Sequence, residues 1–160
     1  MIFSLVQSAL EEQDFRIVAK DHNRPWGGFF VIAEEQAQRF ADVYFDGLDV
    51  SSLKISGKLS PKILIVAPNK RLSWQYHHRR AEIWRVIQGQ AGVVVRSNTD
   101  SENELEILNV GATVILLQGE RHRLVGLEDY AVVAEIWQHT DVANPSDEED
   151  IVRLQYDFGR

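Results

Sequence analysis

The chain has 160 residues, 44% of them hydrophobic and 26% charged, with a formal net charge of -7. That length and balance fit one soluble globular domain, residues 1–160, with enough apolar side chain for a substantial core. The absence of cysteine excludes disulfides and thiolate metal sites and suits a cytoplasmic location, while the acidic balance argues against non-specific nucleic-acid binding.

The N-terminus, MIFSLVQSALEEQDF, is not read as a signal peptide. It lacks a basic start, and Gln7, Ser8, Glu11 and Glu12 interrupt its apolar residues. Ile2, Leu5, Val6, Ala9 and Leu10 recur at the spacing of one helix face, which predicts a helix over residues 2–12. No run approaches the roughly 18 apolar residues that a membrane-spanning helix needs, so no membrane partner is expected. RPWGGFFVI then reads as a turn and a strand. Ala37, Phe40, Ala41 and Tyr44 predict a second helix over 34–45. These elements form an N-terminal extension, 1–59, expected to pack on the strands of the remaining chain.

From Pro61 the texture changes to short apolar or alternating runs: KILIVA, LSWQYH, EIWRVI, GVVVRS, ELEILN, TVILL, HRLVGL and YAVVAEIWQ. Turn residues separate them at Pro68-Asn69, Gly89 to Gly92, Ser97 to Asn103, Gly111 and Gly119. Many short strands with regular turn signals predict a sandwich or barrel, its core at residues 60–140. In the C-terminal segment, 141–160, Ser146 and Glu149 have capping-box spacing, which predicts a short helix or a turn.

The chemistry concentrates in SWQYHHRRAEIW, Ser73 to Trp84. On a strand, Ser73, Gln75 and His77 share one face, and Trp74, Tyr76 and His78 share the other. A turn around Arg79 to Ala81 brings Glu82 back beside the first face. His122, in GERHRLVG, is the best candidate for a fourth member. Gln75, His77, Glu82 and His122 offer two nitrogens and two oxygens, a set suited to a divalent ion such as zinc or manganese. His22 and His139 lie in polar segments and show no such convergence. The competing reading is a structural ion, or four polar residues bonded across the barrel.

These residues resemble the two motifs of the cupin superfamily. The first runs glycine, five residues, histidine, one residue, histidine, four residues, glutamate, six residues, glycine. Here Asn69, Gln75, His77, Glu82 and Gly89 hold that spacing, with Asn69 for the turn glycine and Gln75 for the first histidine. Asparagine tolerates the left-handed backbone such a turn needs. The second motif is matched by Gly111, Gly119 and His122, with Leu117 where proline is usual and Gly126 where asparagine is usual. LSWQYHHRRAEIW, RPWGGFFVI, HRLVG, AEIWQ and EEDIVRLQYDFGR together resemble the cupin domain of type II phosphomannose isomerases, from about Arg24 to Arg160.

The resemblance implies a mainly β, cupin-type double-stranded β-helix, or jelly-roll barrel, with one or two N-terminal helices. It implies a divalent metal, zinc first and manganese, nickel or iron as alternatives, held by Gln75, His77, Glu82 and His122. It implies an aldose–ketose isomerase acting on a sugar phosphate, mannose 6-phosphate/fructose 6-phosphate above all, through a metal-stabilised enediolate. It also implies a homodimer. The family often carries this domain behind a nucleotidyltransferase, for which 160 residues leave no room. Arg79 and Ile83 stand where the family usually has histidines, and the helical segment near residues 34–46 is additional. These departures put the substrate in question more than the metal. A heptose phosphate and a non-catalytic sugar-binding cupin remain alternatives, and an oxygen-using cupin is disfavoured by the glutamine and the basic surroundings.

From Arg71 to Arg85 there are four arginines and one acid. Guanidinium forks suit phosphate, so Arg71, Arg79 and Arg153 are substrate-binding candidates, with Trp84 as a wall of the sugar pocket. Each arginine could equally be a solvated surface group paired with a carboxylate. Arg160 could reach the mouth or seal the barrel. Arg121 and Arg123 fall on the face opposite His122. Arg80, two residues before Glu82, should share its inner face. Isomerisation also needs a group that moves a proton between adjacent carbons, or a metal-bound water that does. Arg80, Glu135 and His78 are the candidates. Arg80 suits electrostatic stabilisation better, and Glu135 reads first as a structural carboxylate paired with an arginine. Trp74 and Trp137 read as core.

Overall fold

Strand alternation splits the apolar residues of this chain between two cores. In the computed structural model, which describes residues 1–53, 59–96, 104–140, 143–144 and 146–155, eleven strands form two antiparallel sheets. Helix α1 (Ile2–Glu12) precedes β1 (Ile17–Arg24) and β2 (Gly27–Ile32). Helix α2 (Ala37–Tyr44) and a 3-10 turn at Val50–Ser52 follow. The remaining strands are β3 (Lys62–Val66), β4 (Trp74–Tyr76), β5 (Arg80–Gln88), β6 (Ala91–Arg96), β7 (Glu106–Leu108), β8 (Thr113–Leu116), β9 (Arg121–Gly126), β10 (Ala131–His139) and β11 (Val152–Gln155). One sheet has the order β1-β2-β3-β10-β5-β8 and the other β11-β4-β9-β6-β7. This is the cupin-type jelly roll anticipated from the motifs, with α1 and α2 as its helices.

Parity decides which core each residue of the six-stranded sheet enters. Leu64, Val66, Trp84, Val86, Ala131 and Val133 point inward and pack with Val93 and Leu124 of the facing sheet. Ile63, Ile65, Ile83, Val132, Ala134 and Ile136 point outward to a second core. Helices α1 and α2 cover that outer core with Val6, Leu10, Phe40 and Ala41. The same parity turns Glu82 and Glu135 toward the inside, beside Trp84 and Trp137.

Phe40 is fully buried, edge-on to Phe15 and tilted against Tyr44. Phe40→Ala should cost about 3–5 kcal/mol, because the neighbouring rings of Phe15, Tyr44 and Phe45 cannot close the gap. Urea unfolding checks this; a loss under about 1 kcal/mol would mean that α2 does not share the cooperative core.

The first helix occupies the predicted range. The second starts later, after a 3-10 turn at Glu34–Gln36. There Glu34 accepts the backbone N–H groups of Leu59 (2.7 Å) and Ser60 (3.0 Å), clamping the entry to β3. Strands β1 and β11 lie where no strand is predicted. Both are half-exposed edge strands: β1 lacks clean alternation and pairs with β2 across a tight turn, and β11 is four residues long and pairs with the distant β4. Around Ser146 a turn forms rather than a helix, and Ser146 Oγ donates to Asp150, not to the backbone. The turn expected at Ser97 to Asn103 and the position of Arg160 lie outside the described residues. Among the described residues, no helix is long and apolar enough to cross a membrane.

Two backbone positions account for motif residues. Asn69 has φ 59°, the left-handed conformation that its place in the first motif requires. Gly126 approaches the next loop so closely that a Cβ would stand 2.0 Å from the carbonyl oxygen of Ala67. Only glycine fits there.

Candidate metal centre and cavity

β4 is short, yet it delivers its residues in alternation. Trp74 is buried in the protein, and Ser73, Gln75 and His77 lie along the other side. His78 is exposed and sits edge-on to Tyr76, whose ring also carries the guanidinium of Arg121 at 3.9 Å. The chain bends at residues 77–79, and β5 brings Glu82 back. β9 pairs with β4 through His122 opposite Gln75. Three strands thereby converge His77, Glu82 and His122 on one buried point.

The proton positions on the two imidazoles follow from their partners. His77 Nδ1 lies 2.6 Å from the carbonyl oxygen of Asp150, and His122 Nδ1 lies 3.0 Å from that of Glu120. A carbonyl only accepts, so each Nδ1 carries a hydrogen, and a ring that gives up its Nε2 proton presents an Nε2 lone pair to a metal. Both Nε2 atoms face the same carboxylate oxygen. Glu82 Oε1 lies 3.1 Å from His122 Nε2 and 3.4 Å from His77 Nε2. Three electron-pair donors aimed at one spot, with their outer nitrogens held by carbonyls, form a donor set fit for a divalent cation.

Glu82 is ionised. Burial would push its carboxyl pKa up, but His77 and Arg80, with hydrogen bonds from both imidazoles, hold it well below the ordinary range. Its second oxygen, Oε2, accepts from Arg80 Nε at 3.2 Å. The carboxylate thus turns one oxygen to the histidines and the other to a guanidinium. Arg80 also donates to Ser146 Oγ and to the Asp147 carbonyl, and its guanidinium lies 3.9 Å above the ring of Trp137.

Gln75 borders this cluster. Its Nε2 lies 3.4 Å from His122 Nε2, and its Oε1 accepts from Ser73 Oγ. In this orientation the amide turns nitrogen, not oxygen, toward His122. A half-turn about its last bond would present Oε1 instead, and Ser73, which can donate or accept, would stay bonded.

A cavity of about 580 Å³ opens beside the cluster, lined in part by Gln75, Arg80, Glu82, Trp84, Glu135 and Arg153. Arg153 reaches it because β11 pairs with β4, opposite Gln75. Arg24 and Lys62 add positive charge to the wall. Arg71 and Arg79 do not line it. Arg71 forms a backbone bridge to Val125. Arg79 faces Asn144, Asp147 and Asp150. Both expected substrate contacts are therefore placed elsewhere by the fold. Arg123 is fully buried behind the site and donates to the Leu72 and Gln155 carbonyls. His139 accepts from the Ser146 N–H, outside the cluster.

Asp150 is a residue the sequence did not single out. Its carbonyl orients His77, and its carboxylate accepts the backbone N–H groups of His78 and Arg79, both at 2.9 Å. One residue thus holds the whole bend that carries His77. The only sequence signal was an acidic run that resembles a solvated turn. Asp150→Asn keeps the shape but turns an N–H group toward one of the two donors. It should lower metal affinity about 10–100-fold, the usual cost of a lost supporting contact. Competition with a chromogenic chelator measures it; unchanged affinity would mean the bend holds itself.

The sequence model of the mannose-6-phosphate isomerase C-terminal family matches residues 33–156. Alginate biosynthesis protein AlgA of Pseudomonas aeruginosa is 32% identical over 87 residues, 54% of this chain and 17% of its own length. The chain therefore spans about a sixth of that relative. Among solved structures, oxalate decarboxylase from Bacillus subtilis gives a TM-score of 0.56 at 17% identity, covering 89% of this chain and 30% of its own. The capsular polysaccharide assembling protein CapF from Staphylococcus aureus gives 0.54 at 15% identity, covering 88% and 34%. At such identities the structural likenesses speak to the fold alone.

Proposed function

The chain belongs to the mannose-6-phosphate isomerase C-terminal family, and from that premise we propose that it is a metal-dependent aldose–ketose isomerase of a sugar phosphate, mannose 6-phosphate/fructose 6-phosphate in the first place. One observation supports this above the others. Two histidines with carbonyl-locked Nδ1 atoms turn both Nε2 atoms toward Glu82, at the edge of a cavity that also carries arginine and lysine.

His77, Glu82 and His122 would hold the metal, with Gln75 after its amide half-turn. Two nitrogens and two oxygens suit zinc, and manganese, nickel or iron would be accepted by the same set. When bound, the ion supplies Lewis-acid stabilisation of negative charge on ligand oxygens. The chain's own groups do the rest. Arg80, a permanent cation at the cavity wall, holds Glu82 in place and stabilises developing negative charge nearby. Trp84 gives the sugar an apolar wall. Arg153, Arg24 and Lys62 are the cavity-lining cations that a phosphate would approach, Arg24 being paired with Asp21 and Lys62 with Glu148.

The second reading, a non-catalytic sugar-binding cupin, draws on the departures at Arg79 and Ile83. Ile83 packs in the outer core and Arg79 faces the C-terminal segment, so neither touches the cavity. That favours the enzyme. The deciding experiment incubates metal-loaded protein with hexose and heptose aldose phosphates and looks for ketose phosphate. Saturable binding without product would favour the second reading. A homodimer, the usual arrangement of such folds, is proposed with it and is read from sedimentation.

A further inference from the structure

Glu135 is a buried carboxylate whose hydrogen-bond partners among the described residues are neutral. It sits in the middle of β10, an almost wholly buried strand, and faces the cavity. Its two oxygens accept from two neutral donors, Trp137 Nε1 at 2.8 Å and Trp84 Nε1 at 3.2 Å. Among the described residues, no guanidinium or ammonium bonds to it. The register sets Glu135 opposite Trp84 and Glu82 opposite Trp137, so the two carboxylates are diagonal neighbours on one inner face. Of the other proton-transfer candidates, His78 is exposed outside the site, and Arg80 is committed to Glu82, Ser146 and Asp147. Arginine also does not give up its proton under ordinary conditions.

We propose that Glu135 is the group that carries the proton between adjacent carbons of the sugar phosphate, an inference that rests on the isomerase reading above. A ligand oxygen at the His77, Glu82 and His122 cluster places the neighbouring carbons beside a carboxylate one diagonal away. The carboxylate takes the proton from the hydroxyl-bearing carbon next to the carbonyl. The C–H electron pair becomes the second bond between the two carbons, and the carbonyl π pair withdraws to its oxygen. The hydroxyl proton then passes to that oxygen. The carboxylic acid returns its proton to the former carbonyl carbon, leaving a ketose and a regenerated carboxylate. The indole donors orient the carboxylate without neutralising it as an arginine would. Burial pushes the Glu135 carboxyl upward from the ordinary carboxylate range, toward the region in which one group can both take and return a proton.

The test uses metal-loaded protein in deuterium oxide, with nuclear magnetic resonance following deuterium entry at the two reacting carbons of mannose 6-phosphate and a panel of hexose and heptose phosphates. In Glu135→Gln, isomerisation and exchange should both fall about 10²–10⁴-fold, the usual share of a general acid–base. Metal content should be unchanged and substrate affinity within a few-fold. A structural carboxylate would instead lower the melting temperature and metal content together. Glu135→Asp serves if the glutamine variant does not fold. It keeps the acid but withdraws it by one methylene, and should lose kcat with little change in KM. Exchange retained within about threefold in whichever variant folds would overturn the assignment and leave the isomerase reading standing. If the unaltered protein exchanges no sugar phosphate in the panel, the isomerase reading fails and this assignment fails with it.

Discussion

Replacing His122 with alanine is expected to abolish specific divalent-metal binding and, with it, turnover. His122 is 1% exposed and gives the shortest contact to Glu82 Oε1. Its removal leaves two of the three convergent donors. Loss of merely supporting contacts at such sites costs about 10–100-fold in affinity, so loss of a ligand should exceed about 100-fold. The metal contributes several kcal/mol to a reaction of this kind, so activity should fall by at least about 100-fold as well. Thermal stability gives a reading independent of activity. A ligand at about a thousand times its dissociation constant stabilises by about 4.1 kcal/mol, so zinc should raise the melting temperature of the parent and not of the variant. Equal zinc-dependent shifts in both would show that the cluster is a hydrogen-bonded core feature and no metal centre. Acidification should weaken binding, because a protonated imidazole has no lone pair to give.

Arg80→Met should be almost as severe, by a different route. Arg80 is 5% exposed and serves Glu82, Ser146 and the Asp147 carbonyl at once. Methionine fills much of the volume but leaves Glu82 with a buried charge and one fewer partner. Breaking a buried ion pair from one side costs about 3–5 kcal/mol. The expected kcat loss is about 10²–10³-fold, the scale for removing one preorganised electrostatic donor. Arg80→Lys separates the two effects. It restores the charge and much of the stability but not the fork that reaches Glu82 and Ser146 together. A lysine variant with full activity would reduce Arg80 to a generic cation.

Much of the site was legible because it obeys a local rule. Alternation along LSWQYH puts Gln75 and His77 on one face and His78 on the other, and the structure keeps that division. The same rule turned Arg80 inward beside Glu82 and Arg121 and Arg123 away from His122. Local rules failed at Arg71 and Arg79. Nothing in their neighbourhood says that one belongs to a loop bridged to β9 and the other to a clasp with residues near 147. They failed also for β11, a half-exposed edge strand that pairs with a partner distant in the chain. Asp150 escaped for the same reason: its acidic surroundings look solvated until the chain returns across the bend at His77.

What the sequence determined by itself was therefore the strand-borne part of the protein: two facing sheets, the two gapped motifs, and the histidines and glutamate that carry the candidate metal centre. Side-chain period and motif spacing are short-range properties, and a linear chain displays them. Only the tertiary structure decided which cations line the cavity, that Asp150 holds the bend, and that Glu135 is bonded by two indoles rather than by an arginine. Those outcomes depend on which polar group meets which across dozens of residues. Inside a buried site, a carboxylate's partner sets its charge and its chemistry.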